Sequence, residues 1–278
     1  AITLRDLLTF RMGFGLILAA PGTYPIQKAN DELLGDGMPS PAKLAAPDEW
    51  LRRLGTLPLM HQPGERWMYN TSAIVVGVLI ARAAKAPLDV FLRERLFAPL
   101  GMNDTDFSVP ASKLDRFTTS YLADYRSGAL SVYDPVDGQW SRRPAHASGA
   151  DGLVSTARDF LRFSSLLLGG GQVGGKRLLS EASVEQMTRD ALTPANKAFG
   201  ALTPGYFDHH GWGLGMAVVT SRDELAMPPG SYGWDGGLGS SWYAEPSTGT
   251  TGILLTSRSW TEPSPPPLFR DFWHHVNA

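Results

Sequence analysis

Apolar residues at helical spacing dominate the first hundred positions, whereas after about residue 210 they fall into short runs cut by Gly and Pro. That change of period, without βαβ alternation, excludes a doubly wound parallel sheet and predicts an α+β fold. Trp50, Leu51 and Leu54 share one helical face behind Pro47-Asp48. Ile74, Val75, Val78 and Leu79 continue a helix that starts near Ser72. Pro87 opens the next helix; Leu88, Phe91, Leu92 and Leu96 follow, and Gly101 closes it. Thr3 with Asp6, and Thr156 with Asp159, carry the capping-box spacing of a helix start. Residues 181–190 and Leu268–Val276 are further helical stretches.

The predicted strands are Trp212–Thr220, Ser231–Trp234, Ser240–Glu245 and Thr250–Arg258. A hairpin loop at 245–249 joins the last two. The expected organisation is one domain over 1–278. It is helical over about 1–200, with strands and a closing helix over about 210–278.

Composition removes several functions. Lys+Arg is 25 against 27 for Asp+Glu, a net −2 with no basic run, so nothing draws the chain to nucleic acid or an anionic surface. Cysteine is absent, which removes disulfides, thiol catalysis and Cys-based metal sites. The compartment stays open between cytoplasm and periplasm. The apolar run Ala73–Ala81 stops at Arg82, too short for a membrane span. Gly170–Arg177 resembles a P-loop but ends in Arg where Ser or Thr must hold Mg²⁺. No G-x-S-x-G elbow is present. Asp208-His209-His210 and His274-His275 lack the spacing of a metal site. No metal and no cofactor are expected.

Five strings in order carry a resemblance. They are Ile2–Gly13, Pro63–Ser72 (which reads PGERWMYNTS), Phe97–Thr105, Gly152–Ala157 and Tyr232–Pro246. Together they resemble the serine β-lactamase and penicillin-binding protein superfamily, on the branch of class C β-lactamases, DD-peptidases and related esterases. The resemblance implies a helical cluster on an antiparallel sheet. It also implies hydrolysis of a small-molecule ester or amide through a serine acyl-enzyme.

Tyr69 matches the family tyrosine that helps move the proton, a task needing nearby cations to lower its pKa. Thr71 takes the third position of that motif, and Trp234-Asp235-Gly236 takes the place of the third, wall-forming motif. Gly237 would supply a backbone N–H to the oxyanion. Two bland alternatives stay open: Tyr69 as a core aromatic, and Trp234 packed at a Gly-rich strand kink.

Of the serines, only Ser40-Pro41-Ala42-Lys43 fits the family's S-x-x-K. It lies on the Gly- and Pro-rich stretch 35–47, after the first helix, and is rejected as a loop coincidence. The resemblance therefore puts the nucleophile, and two N-terminal strands, upstream of Ala1. A non-catalytic binding module is the competing function class, and a structural α+β domain is a third. Without those strands, Thr250–Arg258 would expose an unpaired edge open to self-association, with Ile253 and Leu255 inward and Thr251 outward.

Overall fold

Thr3 caps α1 (Leu4–Leu8) in both directions, as its spacing predicts. Its hydroxyl accepts the Asp6 N–H at 3.1 Å, and the Asp6 carboxylate accepts the Thr3 N–H at 2.9 Å. The computed structural model describes residues 1–278 apart from 18, 21, 36, 199–202 and 263. Helices α2 (Pro25–Leu34), α3 (Pro47–Leu54) and α4 (Thr71–Ala84) join α1 around Leu7, Phe14, Trp50 and Ile74. Asp48 and Glu49 occupy the first turn of α3 and Arg52 and Arg53 its last, each favourable to the helix dipole. Then come α5 (Leu88–Leu92), a π-helical turn over Arg93–Phe97, and α6 (Ala98–Leu100). Gly101 ends the run at φ 69°.

Two small hairpins follow that periodicity did not signal: β1 (Ser120–Ala123) with β2 (Leu130–Asp134), and β3 (Gln172–Val173) with β4 (Lys176–Arg177). Between them lies α7 (Ala157–Leu168), whose Thr156 hydroxyl accepts the Asp159 N–H. The reciprocal half of that capping box is missing, because the Asp159 carboxylate serves the Asp104 N–H and the Thr105 hydroxyl. Short helices α8 (Glu181–Met187), α9 (Pro194–Lys197) and α10 (Tyr206–His209) lead into the sheet.

The sheet is an antiparallel meander of β5 (His210–Trp212), β6 (Ala217–Val219), β7 (Tyr232–Gly236), β8 (Ser240–Glu245) and β9 (Thr250–Leu255). The predicted single strand Trp212–Thr220 is instead a hairpin, broken at Gly213–Gly215. Side chains alternate across β7–β9. Tyr232, Trp242, Ala244 and Ile253 face α7 and α8, where Phe160 meets Trp242 at 5.3 Å between ring centroids. Tyr243 faces α11 (Pro267–Val276), its ring 5.4 Å from that of Trp273. A Cβ at Gly252 would lie 2.5 Å from the Trp273 ring, so α11 can sit this close only on a glycine.

The α+β expectation holds, and three details of the last strand do not. It ends at Leu255, and residues 257–259 instead flank Tyr121, whose N–H reaches the Ser257 carbonyl at 2.8 Å. Leu255 is exposed. Thr251 points inward, its hydroxyl 2.7 Å from Ser164 Oγ and 3.2 Å from Trp242 Nε1. Among the described residues, β9 pairs with β8 alone.

Candidate active site

Residues 66–69 run extended between the loop at Phe10–Leu16 and the start of α4. Met68 N–H bonds the Phe10 carbonyl at 2.7 Å, and Leu16 N–H bonds the Tyr69 carbonyl at 2.9 Å. The chain then turns on Asn70, at φ 78° and ψ −55°. Thr71 N–H returns to the Tyr69 carbonyl at 3.2 Å, which closes a γ-turn of the rare positive-φ kind. Strain of this sort persists only where the surroundings hold it. Here it aims Tyr69 to one side of Asn70 and Thr71 to the other.

Trp234 on β7 meets Tyr69 directly. Its indole Nε1–H donates to the Tyr69 hydroxyl at 2.9 Å, across 165 residues of sequence. The two rings are 5.2 Å apart, and Trp212 abuts Trp234 edge-on at 4.9 Å. Phe10 and Trp67 complete this aromatic cluster at the junction of helices and sheet. Burial pushes the Tyr69 hydroxyl up to about 12; the Trp234 N–H opposes that shift, while Asp151 and Asp235 add to it. Among the described residues no cation opposes that shift, which leaves Tyr69 a neutral phenol.

Asp235 does not share the site with Trp234. Being the next residue on a strand, it points to the opposite face. There it accepts hydrogen bonds from Ser241 Oγ and, at 3.1 Å, from Tyr243 OH. The placement of Asp235 as a substrate contact is corrected accordingly. Burial pushes its carboxyl up to about 6 from 3.8, against the opposing pull of Ser241 and Tyr243. Below about pH 4 the folded and unfolded chains both hold this proton. Between about 4 and 6 the unfolded chain releases it and the folded chain keeps it, so folding stability falls as pH rises through that window. Urea unfolding across this range should show that fall, and Asp235→Asn should flatten it. A variant with the wild-type slope would contradict the assignment.

Gly236 ends β7 opposite Ser240, and Gly237 opens the following turn, its carbonyl accepting the Trp260 N–H at 2.9 Å. Neither glycine lines a cleft with Tyr69. Two clefts flank Asn70. One is walled by Leu7, Phe10, Tyr69, Trp212 and Trp234 and carries no charged side chain. The other includes Thr71, Ser40, Lys43, Trp50, His146 and Asp151. Thr71 is thus separated from Tyr69, and Asn70 is the residue that both clefts share. Motif matching missed Asn70 as a site residue. Its one sequence signal is that Asn tolerates positive φ better than most residues.

Ser40–Lys43 is a turn, with Ser40 Oγ donating to Gln139 at 3.1 Å. That geometry lacks the helix that would stack Lys one turn from Ser. His210 pairs with Asp223 at 3.0 Å and His209 with Ser221 at 2.9 Å. Among the described residues no group of three or more His, Cys, Asp or Glu could hold a metal. Among the described residues, too, no helix is long and apolar enough to cross a membrane.

The family model described as Beta-lactamase matches residues 1–270. The chain belongs to the beta-lactamase family. This family member is 37% identical over 253 residues to Protein Rv1367c of Mycobacterium tuberculosis (strain ATCC 25618 / H37Rv), covering 89% of the chain and 60% of that relative. It is 27% identical over 294 residues to Esterase EstB of Burkholderia gladioli, covering 95% of the chain and 67% of the esterase. The chain thus spans about 60% of the length of the Mycobacterium relative. Among solved structures it superposes on EstCE1, a hydrolase with promiscuous acyltransferase activity, with TM-score 0.75 at 20% identity, over 100% of this chain and 72% of that one. A penicillin-binding protein homologue from Caulobacter crescentus gives 0.68 at 18% identity, with the same coverage. These likenesses show the β-lactamase/transpeptidase fold.

Proposed function

We propose that residues 1–278 form the tyrosine and tryptophan walls of a serine acyl-transfer site that hydrolyses a small ester or amide, with the nucleophilic serine upstream of residue 1. The observation that carries this reading is the 2.9 Å bond from Trp234 Nε1 to the Tyr69 hydroxyl. It joins the two motifs that the family resemblance assigns to opposite walls of one site. The serine hydroxyl would attack the substrate carbonyl and lose its proton towards Tyr69 and the lysine of the upstream S-x-x-K. The leaving alcohol or amine would take a proton as the acyl-enzyme forms, and water would then release the acid. Gly237 N–H, Gly236 and Thr71 lie outside the Tyr69 cleft in this chain, and would reach the oxyanion and the substrate only once the upstream segment completes the site. The upstream lysine would bring the cation that Tyr69 lacks here, drawing its hydroxyl down from about 12.

Acyl trapping tests the reading. A polypeptide carrying an S-x-x-K helix ahead of residue 1 should take up one acyl group at that serine, and residues 1–278 alone should take up none. Equal uptake by both refutes it. A binding module without catalysis is the second reading, and the neutral, cation-free state of Tyr69 favours it.

The same reading concerns the sheet edge. The outer side of β9 is the natural seat for a strand from outside residues 1–278, or from a second copy of the chain. Residues 1–278 alone should then associate with rising concentration, and a lysine at the exposed Leu255 should weaken that association. Sedimentation at several concentrations reads it, and a concentration-independent monomer opposes it.

A further inference from the structure

The loop that joins β7 to β8 carries the Gly237 N–H, and its own backbone fixes where that N–H points. Gly239 N–H donates to the Gly236 carbonyl at 2.8 Å, which closes a tight turn over residues 236–239. The Gly236 carbonyl and the Gly237 N–H belong to one trans peptide, so they point in opposite directions. The carbonyl is drawn towards Gly239 on the β8 side, and the N–H is therefore turned away from β8. On that other side β6 pairs with β7 only at Tyr232 and Gly233. Among the described residues Gly237 N–H has no backbone acceptor, and Gly237 is exposed. It is a free donor beyond the point where the neighbouring strand stops.

The turn is clamped from behind. Gly239 sits at φ 107°, and a Cβ there would run into Thr256 Oγ1 and the Arg258 carbonyl oxygen. The Gly239 carbonyl accepts the Thr256 N–H at 2.8 Å and the Thr256 hydroxyl at 2.9 Å. Trp260 N–H holds the Gly237 carbonyl at 2.9 Å. The segment that supplies these groups is itself fixed to β1. Tyr121 N–H reaches the Ser257 carbonyl and Ser259 N–H reaches the Tyr121 carbonyl, each at 2.8 Å. Ser259 Oγ also accepts the Ala123 N–H at 3.1 Å. A three-residue hairpin loop closes on its own turn bond. The second layer of bonds does something more: it fixes the orientation of the loop.

We propose that Gly239 and Thr256 are positioning residues for the oxyanion, holding the peptide between Gly236 and Gly237 so that the Gly237 N–H meets the charge that develops on the substrate carbonyl oxygen. The inference rests on the acyl-transfer reading, in which the completed site brings that carbonyl to this donor. An oxyanion donor works by being aimed before the charge appears, so that nothing reorganises as it forms. A peptide at an untethered hairpin tip would rock. Here the carbonyls of Gly236, Gly237 and Gly239 are all bonded, so the Gly237 N–H cannot swing without breaking one of them. Gly239 and Thr256 act only through Gly237. The β1–β2 hairpin is the far end of the same brace, through its bonds to Ser257 and Ser259.

The test measures kcat and KM for nitrophenyl butyrate in a polypeptide that carries an S-x-x-K helix ahead of residue 1. Gly239→Ala drives a Cβ into Thr256 and Arg258. It should lower kcat by about tenfold or more with KM changed by less than about twofold, because a displaced donor forfeits part of the roughly 10²–10³ that one such donor supplies. Thr256→Val removes only the hydroxyl and should lower kcat in the same way by a smaller factor. Thr256→Ser keeps the hydroxyl and should retain the unsubstituted kcat. A merely looser fold would raise KM first and would not be rescued by serine. Where Gly239→Ala fails to fold, the two Thr256 variants make the comparison. In residues 1–278 alone, amide exchange should show Gly239 N–H protected and Gly237 N–H open. A Gly239 amide that exchanges freely, or a protected Gly237 amide, overturns the inference whatever the rates. Turnover that Gly239→Ala and Thr256→Val both leave within about twofold overturns it and leaves the acyl-transfer reading standing. No turnover by the unsubstituted polypeptide overturns that reading, and this inference with it.

Discussion

In a polypeptide that carries an S-x-x-K helix ahead of residue 1, Tyr69→Phe should lower the proposed ester turnover by about 10²–10⁴, the usual worth of a positioned proton transfer. The substitution removes one oxygen and leaves the ring, which packs 6.1 Å from Phe10 and 5.9 Å from Trp67. Folding should survive, because the aromatic cluster keeps its shape. The Trp234 Nε1–H loses its acceptor, which adds a modest stability cost of about 1–3 kcal/mol for a buried donor left unpaired. The kinetic signature separates the two effects. Loss of a proton-transfer group lowers kcat and kcat/KM together, whereas a looser cluster raises KM first. A change in turnover within twofold would return Tyr69 to a packing role.

The second large effect concerns substrate class. The cleft that holds Tyr69 and Trp234 has no Lys or Arg on its described wall. A β-lactam carries a carboxylate that needs such a partner, and a simple ester does not. A hydrogen bond to a charged group contributes about 1.5–3 kcal/mol, which corresponds to a preference on the order of 10–10². If the proposed site is completed by an upstream S-x-x-K helix, that polypeptide should therefore show a specificity constant at least about tenfold higher for nitrophenyl butyrate than for nitrocefin. Trp234→Lys should narrow that ratio even where it lowers both rates. A wild-type preference for nitrocefin would contradict the neutral-wall account.

Local rules carried much of the fold. Thr3 and Asp6 cap α1, Gly101 stops α6, and Pro267 opens α11 one residue before the periodic pattern begins. These features act within one helical turn, so spacing alone reveals them. The β5–β6 break was not legible, because Trp212–Thr220 reads as one apolar run and only the Gly213–Gly215 geometry divides it. The predicted last strand runs on to Arg258, yet Ser257 and Ser259 on either side of that end bond Tyr121, more than a hundred positions away.

The site shows the same division. Tyr69 and Trp234 were recognisable from two strings, and the structure brings their side chains into contact. Assigning Trp234 and Asp235 to one cleft ignored the two-residue period of a strand, which sends neighbours to opposite faces. Asn70 adopts its turn because the loop at 10–16 and the start of α4 grip the chain on either side. His146 and Trp50 meet because α3 packs under the loop at 144–152. No local pattern encodes either arrangement.

The central claim is that residues 1–278 hold the walls of an acyl-transfer site without its nucleophile. Intact-mass analysis after incubation with a fluorophosphonate tests that claim most directly. Ser40 is the only serine in an S-x-x-K string, and it sits in a turn with its hydroxyl committed to Gln139. The account predicts that the chain alone keeps its unmodified mass, whereas a polypeptide extended upstream through an S-x-x-K helix gains one adduct at that serine. A stoichiometric adduct on residues 1–278 alone, at Ser40 or at any other serine, would contradict it.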